Sequence, residues 1–345
     1  MSRATGIINN IECRYYNKIE GKKIICGLCP QNCIIADDRK GFCGVRRNKD
    51  GILYSDSFGK ISALAFDPIE KKPLYHFFPG KQILSIGSLG CNLKCVFCQN
   101  SDISQNSNFS NLNSVTPDFL LETALSNKNN IGIAYTYNEP LINFEFVCET
   151  AKLFSKYNLK NVLVSNGLIN EEPLKELLQY IDAANIDLKG ITNEFYKKNC
   201  GAGTPENVLN TIKTLYSNGK TVEATNLIVT GANDKIEDIK KLVDAISDIS
   251  KNIPLHFSRY FPRYKYEMPP TDEKIITAAF EYAKTKLNYV YAGNIHLPGM
   301  SNTYCPDCGC IVIEREYYQI KNYTKDGRCK KCGEKAFNPK TAIEL

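Results

Sequence analysis

Three cysteines in one short segment are the residues of this chain best suited to do chemistry. Cys91, Cys95 and Cys98 have the spacing C-x3-C-x2-C and follow an apolar run at residues 83–87, which predicts a buried strand. Thiolates this close together on a loop can bind one soft metal centre. Three ligands leave one position of a four-iron cubane open, and an open position lets a metal centre bind a reactant. The alternatives are three buried thiols or part of a zinc site.

A second set of cysteines lies near the C-terminus. Two C-x2-C pairs are separated by 20 residues, and each second cysteine is followed by glycine: Cys305, Cys308, Cys329 and Cys332. This is a zinc-ribbon pattern, with residues 311–313 as strand material. We expect structural zinc here, with a single rubredoxin-type iron as the alternative, and Cys310 as a spare thiol.

A third set lies near the N-terminus, within 18 residues: Cys26, Cys29, Cys33 and Cys43. Four thiolates can close a tetrahedral zinc site or hold a second [4Fe-4S] cluster, and structural thiols are the third alternative. The compact spacing with a Cys-Pro pair occurs in ferredoxin-like loops. Gly41 and Gly44, and the distance in sequence from the other motifs, favour zinc as a folding staple.

The composition predicts a soluble globular protein in a reducing compartment. The 345 residues are 43% hydrophobic and 23% charged, and no apolar run approaches the roughly 18 residues of a membrane span. Residues 1–6 lack the apolar stretch of a secretory signal. The fifteen cysteines cluster as metal-ligand sets, which indicates the cytoplasm, with Cys13, Cys148 and Cys200 as free buried thiols. The net charge of +6 allows an acidic partner or a nucleic acid and demands neither.

Strands and helices are predicted to alternate over roughly 200 residues. We expect strands at 83–87, 131–135, 162–164, 184–188, 222–229 and 255–257, with a helix after each of the later five and one at 116–127. Such alternation predicts an α/β fold with a parallel sheet and helices outside it. Six units fit an open, TIM-like (β/α)6 partial barrel, and a doubly wound sheet is the alternative. The expected domains are a cysteine-rich module at 1–60, the barrel at 61–300 and a zinc-ribbon module at 301–345.

Polar residues recur where the predicted strands end. Chemistry in parallel α/β barrels takes place at the carboxyl ends of the strands. The candidates at these ends are Asn138, Glu139, Ser165, Asn166, Asp187, Lys189 and His256. Glu139 has a helix-start carboxylate as its alternative role, and His256 has that of a hydrogen-bonded core residue.

The cysteine segment resembles the signature of the radical S-adenosylmethionine (radical SAM) enzymes, including Phe97 before the last cysteine. The resemblance implies a [4Fe-4S] cluster whose open iron chelates SAM, and reductive cleavage of SAM to a 5′-deoxyadenosyl radical. Glu139 matches the place of a motif that binds the SAM ammonium group, although the two glycines of that motif are absent. His256 resembles a histidine near the SAM ribose. The other polar candidates and Phe97 are then expected to bind the cofactor.

Longer stretches narrow the resemblance to the pyruvate formate-lyase activating-enzyme branch. Residues 67–80, 289–294 and 303–308 look like the radical SAM member of the AmmeMemoRadiSam system. That resemblance implies AMMECR1-like and Memo-like partners and an electron donor of the flavodoxin or ferredoxin type, and it leaves the substrate open. Activases that make glycyl radicals typically have an aspartate where this chain has Val164. A valine cannot ligate a cation, so the cation site of those enzymes is not expected here.

Three functions are therefore under consideration: a radical SAM enzyme, a glycyl-radical activase, and a zinc or iron-sulfur module for nucleic-acid binding or redox sensing.

Two further segments have open roles. Residues 260–266 are rich in tyrosine and are expected either to pack in the core or to close over the active site. Basic residues crowd the N-terminal module, at Lys22, Lys23, Arg39, Lys40, Arg46, Arg47 and Lys49. These residues are expected to form a solvated face, and the alternative is a surface that binds an acidic partner protein or RNA. Arg46 and Arg47 could equally lie beside a negatively charged thiolate cluster and stabilise it.

Overall fold

A computed structural model describes residues 11–325 and 327–336 of the chain. The expectation for residues 1–6, and the outer ends of the domains expected at 1–60 and 301–345, lie outside the described residues. At the centre is one open sheet of eight strands, whose order across the sheet follows the chain. The strands are Ala63–Pro68, Gln82–Gly87, Asn130–Tyr135, Lys160–Ser165, Ala183–Asp187, Thr221–Ile228, Leu255–Arg259 and Val290–Gly293.

The strand order distinguishes between the two predicted architectures. Ala63–Pro68 is antiparallel to its neighbour, and the remaining strands run parallel. A doubly wound sheet reverses its strand order at a switch point, and this sheet has no reversal. The parallel α/β sheet is confirmed, whereas its closure into a barrel-like curve stays a prediction. The six expected strand–helix units are present, while Val290–Gly293 adds a seventh parallel strand without a helix and Ala63–Pro68 adds an antiparallel edge.

The helices follow the predicted amphipathic segments closely. They are Pro117–Leu125, Phe144–Lys156, Glu171–Leu178, Pro205–Ser217, Ile236–Ile249 and Glu273–Lys284. Each buries its apolar residues against the sheet, as Ile239, Val243 and Ile246 do in one of them. Short helical turns occupy Glu20–Lys22, Ile69–Lys71, Ser101–Ser104, Pro140–Asn143, Asn193–Phe195 and Tyr196–Cys200.

The inner face of the sheet is filled by the chain that precedes the first parallel strand. Ile69, Leu74 and Phe77 pack there against Ala134 and Val162. These residues form a buried cluster separate from the main hydrophobic core. The carboxyl ends of the strands face the loops that carry the candidate site.

Small sheets lie before and after the central one. The N-terminal strands are Ile11–Glu12, Tyr16–Lys18, Ile24–Cys26, Ile34–Ile35, Arg46–Lys49, Ile52–Ser55 and Lys60–Ile61, the last of which pairs with Asn113–Ser114. The C-terminal strands are Thr303–Tyr304, Ile311–Glu316, Gln319–Asn322, Thr324–Lys325 and Arg328–Cys329. Among the described helices, none is long and apolar enough to span a membrane.

The helix Pro205–Ser217 begins at a cap that can be tested. Thr204 Oγ1 accepts a hydrogen bond of 3.2 Å from the backbone N–H of Asn207, and Pro205 occupies the first helical position. Thr204→Ala should lower the free energy of unfolding, measured in urea, by about 1 kcal/mol. Thr204→Ser keeps the oxygen and should stay near wild type. Equal destabilisation by both variants would show that the cap hydrogen bond does not stabilise this helix.

Candidate active site

The loop that carries the three cysteines is held tightly from its first residue. Gly90 has a positive φ of 87°, and a Cβ there would lie 2.7 Å from the carbonyl oxygen of Cys43 and 2.6 Å from Val45. Asn138 braces the same turn, because its Nδ2 donates to the Gly90 carbonyl at 3.0 Å and its Oδ1 accepts from Ser88 N at 2.8 Å. Asn138 therefore positions the loop.

The far side of the loop is bonded to two distant segments. The N–H groups of Lys94 and Val96 donate to the carbonyls of Cys200 and Asn199, at 2.7 and 2.9 Å. The carbonyl of Val96 accepts from Lys265 N at 3.0 Å. Cys200 was expected only as a free thiol, but its side chain forms a hydrogen bond with that of Cys95. This hydrogen bond and burial together raise the pKa of the Cys95 thiol well above its ordinary value.

The number of cysteines on this loop suits a cluster with one open iron. A cubane binds each thiolate to a different iron, so Cys91, Cys95 and Cys98 would hold three of its four corners. The C-terminal set differs, because its four sulfurs all lie within 4.8 Å of one another, as they would around a single ion.

Glu139 lies at the end of the neighbouring strand, on the same side as the cysteines. Its side chain is 3% exposed and begins the helical turn Pro140–Asn143. Its carboxylate accepts hydrogen bonds of 2.8, 2.8 and 3.0 Å from Ser165 Oγ, Asn166 N and Leu141 N. No lysine, arginine or histidine in the described part of the chain forms an ion pair with it. Burial outweighs these bonds and raises the pKa of Glu139 to about 7.

Asn166 connects this carboxylate to the cysteine loop. Its backbone N–H binds Glu139, while its Nδ2 donates to Asn92 Oδ1 at 2.8 Å and lies 3.7 Å from Cys91 Sγ. The structure thus brings together Cys91, Glu139, Ser165 and Asn166 as expected. Asn92 was not among the candidates, although its position between two cysteines of the loop is a signal that could have identified it.

The pair from the next strand also joins the site. Lys189 Nζ lies 2.6 Å from Asp187 Oδ2. Burial alone would lower the pKa of Lys189, but Asp187 and the nearby Cys95 outweigh it and raise that pKa above its ordinary value. Lys189 is therefore a permanent positive charge beside the cysteine loop, and Asp187 adds a negative charge near Glu139.

Two further candidates make contacts within the protein. His256 Nε2 binds Glu223 Oε2 at 2.7 Å, and its ring packs against Tyr75 and Tyr291. Across the sheet His256 is in register with Thr225, which is in register with Asp187. The expected ribose contact of His256 stays a prediction. Phe97 is 2% exposed and packs on Phe195, so it supports the loop from below.

The segment at 260–266 closes over the cysteine loop. Besides the Lys265 bond to Val96, Gln99 Nε2 donates to the Phe261 carbonyl at 3.2 Å, and Arg263 pairs with Asp102 at 3.1 Å. Tyr260 is fully buried, with its hydroxyl on the carbonyl of Tyr266. These contacts cover the loop from the solvent side.

The stretches that carried the narrowest resemblance pack against one another. His76 Nε2 lies 2.6 Å from the Tyr291 hydroxyl, which lies 2.8 Å from Thr303 Oγ1. Arg315 stacks on Tyr75 at 4.1 Å from the ring centre and donates to its carbonyl. This buried network joins the C-terminal strands to the inner side of the sheet.

The C-terminal cysteines converge as one compact set. Cys305 Sγ lies 3.5 Å from Cys332 Sγ, and Cys308 Sγ lies 3.6 Å from Cys329 Sγ. Each C-x2-C segment forms a turn closed by a glycine of positive φ, whose N–H donates to the carbonyl of the first cysteine: Gly309 to Cys305 at 3.0 Å and Gly333 to Cys329 at 2.8 Å. The cluster is present as expected, and its geometry is that of a site for one ion.

Most charges in the N-terminal module are neutralised locally. Four of its seven basic residues are ion-paired: Lys22 with Asp50, Lys40 and Arg47 with Asp56, and Arg46 with Glu145. A face prepared for nucleic acid would leave such cations free for phosphates. The pairing supports the solvated face for Lys22, Lys40 and Arg47, while Arg46 is buried.

Known proteins similar to this chain agree with the geometry. The model of the radical SAM superfamily matches residues 85–246. The uncharacterized protein MJ0808 of Methanocaldococcus jannaschii is 43% identical over 331 residues, covering 94% of this chain and 98% of that one. The 4-hydroxyphenylacetate decarboxylase activating enzyme of Clostridium scatologenes is 30% identical over 116 residues, 33% of this chain and 36% of the enzyme.

A solved structure shows the same fold. Streptococcus suis SuiB bound to S-adenosylmethionine aligns with a TM-score of 0.50 at 17% identity, covering 62% of this chain and 52% of that one. At this identity the likeness concerns the fold alone. The chain also spans only about a third of the activating enzyme's length, so the likeness to that enzyme is local.

Proposed function

Since the chain carries a radical SAM domain and belongs to the same family as MJ0808, we propose that it is an enzyme that cleaves S-adenosylmethionine reductively and uses the radical on a substrate. When bound at Cys91, Cys95 and Cys98, a [4Fe-4S] cluster supplies one electron to SAM, which gives methionine and a 5′-deoxyadenosyl radical that abstracts hydrogen. This chain's own residues would bind and orient SAM and exclude water from the site.

One observation supports the proposal most strongly: a buried carboxylate without a cation lies beside a three-cysteine loop. Glu139 accepts three hydrogen bonds from the protein, and a carboxylate has room for about four. A buried charge is normally paired, so the remaining acceptor position suits a cationic ligand such as the SAM ammonium group. Asn166, which contacts both Glu139 and Cys91, sets the distance between the two parts of the site.

The neighbouring residues would orient the ligand and exclude water. Lys189 offers a fixed positive charge to an anionic group, and Asp187 holds it in place. The 260–266 segment shields the loop from solvent, which a carbon radical requires because any stray hydrogen donor would quench it. Asn138 acts through the loop, as a positioning residue.

The substrate and partners belong to the proposal as well. The resemblance of the network around Tyr75 and Tyr291 to the AmmeMemoRadiSam enzymes supports action together with AMMECR1-like and Memo-like proteins. The one-electron donor would be of the flavodoxin or ferredoxin type. Zinc at the C-terminal cysteines would serve as a folding staple.

A glycyl-radical activase is the second candidate, favoured by the local identity to the activating enzyme of Clostridium scatologenes. Against it, Val164 packs against apolar residues on the inner face, where a cation-binding carboxylate would be expected. A large glycyl-radical enzyme encoded nearby, and a glycyl radical signal in it after incubation with this protein and SAM, would establish that activity.

The pKa of Glu139 gives the proposal a pH test. Below a pKa of about 7 the carboxyl group is protonated and neutral, so it can no longer attract a cation. The affinity of the reconstituted protein for SAM should fall about tenfold from pH 8 to pH 6, beyond any change shared with Glu139→Gln. SAM titrates too, and the variant removes that common contribution. Identical pH profiles in both proteins would rule out Glu139 as the titrating group.

A further inference from the structure

The four N-terminal cysteines are grouped around one cavity beside the active-site loop. Cys26, Cys29, Cys33 and Cys43 all line one cavity. Asn92, the residue after Cys91, lines the same cavity. Gln31 Nε2 donates to the Asn92 carbonyl at 3.3 Å. The set is far from the loop in sequence and adjacent to it in the fold.

The N-terminal and C-terminal sets are arranged differently. In the C-terminal set all four sulfurs lie within 4.8 Å of one another, close to the value of about 3.8 Å around one tetrahedral zinc. The four N-terminal cysteines instead surround a cavity, which they line together with Leu28 and Ile35. Four thiolates around an enclosed space are a suitable donor set for a four-iron cluster.

A buried cation at the cavity points to an anionic occupant. Arg46 lines the cavity, is 1% exposed, and its Nε has no hydrogen-bond partner in the described part of the chain. Its terminal nitrogens bind Glu145 at 3.1 Å and the Arg14 carbonyl. A buried N–H without an acceptor is energetically unfavourable. A sulfide or thiolate of a negatively charged cluster would satisfy it.

We propose that Cys26, Cys29, Cys33 and Cys43 bind a second [4Fe-4S] cluster, directly beside the loop of Cys91. This departs from the zinc staple favoured by the glycine turns, because a staple remote from the active site would need neither the cavity nor the contact with Asn92. Four cysteines occupy all four irons, so this cluster has no open position for a substrate. The inference stands apart from SAM cleavage, since it concerns a different set of ligands.

The test uses the full-length chain without the Cys91 cluster. Protein with Cys91, Cys95 and Cys98 all changed to alanine, reconstituted anaerobically with iron and sulfide, should retain about four irons, four sulfides and one zinc. About two zincs and no iron would overturn the proposal.

A complementary series guards against a misfolded triple variant. Wild type should contain about eight irons, and Cys29→Ala with Cys33→Ala should contain about four while keeping SAM-dependent changes in the spectrum of the remaining cluster. Cys13→Ala, a buried thiol outside the cavity, is the matched control and should keep all eight. A wild-type count of about four irons and two zincs would refute the second cluster.

Discussion

Replacing any one of Cys91, Cys95 or Cys98 with alanine should abolish the formation of 5′-deoxyadenosine from SAM. Each thiolate holds a different iron, and two remaining ligands cannot hold a cubane whose open iron must bind SAM. The variants should lose about four irons relative to wild type and keep the zinc of the C-terminal cysteines. The measurements are product formation by chromatography and metal content by elemental analysis, under strong reductant without oxygen.

A matched control separates loss of the cluster from general damage to the fold. Cys148→Ala removes a buried thiol from the helix Phe144–Lys156, on the outer side of the sheet. It should retain the full iron content and activity. Substantial cleavage of SAM by a Cys95→Ala variant that has lost these four irons would refute the assignment of this loop.

Glu139→Gln should weaken SAM binding by about 10- to 150-fold, equivalent to about 1.5–3 kcal/mol. The change keeps the shape of the side chain and removes the charge that attracts the ammonium group. Glutamine also turns an amide N–H₂ toward one of the donors from Ser165, Asn166 or Leu141, so some loss of stability will accompany it. The affinity is best measured by equilibrium dialysis on variant protein with confirmed iron content.

Glu171→Gln is the control for this prediction, because Glu171 is exposed and pairs only with Lys175 on the surface of its helix. It should bind SAM as wild type does. If Glu139→Gln keeps full cluster content and binds SAM with unchanged affinity, Glu139 has only the structural role of beginning the turn Pro140–Asn143.

The sequence predicted most of the sheet because buried parallel strands leave long apolar runs. The edge strand Ala63–Pro68 was missed since much of it is only partly buried and it ends in Asp67-Pro68, which indicates a turn. Val290–Gly293 was not counted as a unit because no helix follows it. Strand order, which separates the two architectures, comes from pairing between strands and has no local signature.

At the site, the ends of the parallel strands indicated which residues the fold would bring together. Glu139, Asn166 and Asp187 come at or after the ends of their strands, and the fold brings them together. His256 lies level with Asp187 across the sheet, but its side chain binds Glu223, a contact that its place in the sequence does not indicate. The approach of Cys200 to Cys95 joins segments about a hundred residues apart. No spacing pattern reports such a contact.

The most direct test of the central claim is the yield of 5′-deoxyadenosine from wild-type protein. Anaerobically reconstituted enzyme, given SAM and a strong one-electron reductant, should form 5′-deoxyadenosine and methionine in equal amounts. A parallel reaction should include the AMMECR1-like and Memo-like proteins, which are the proposed partners. Protein that holds its clusters and binds SAM, yet forms no 5′-deoxyadenosine in either reaction, would contradict the account.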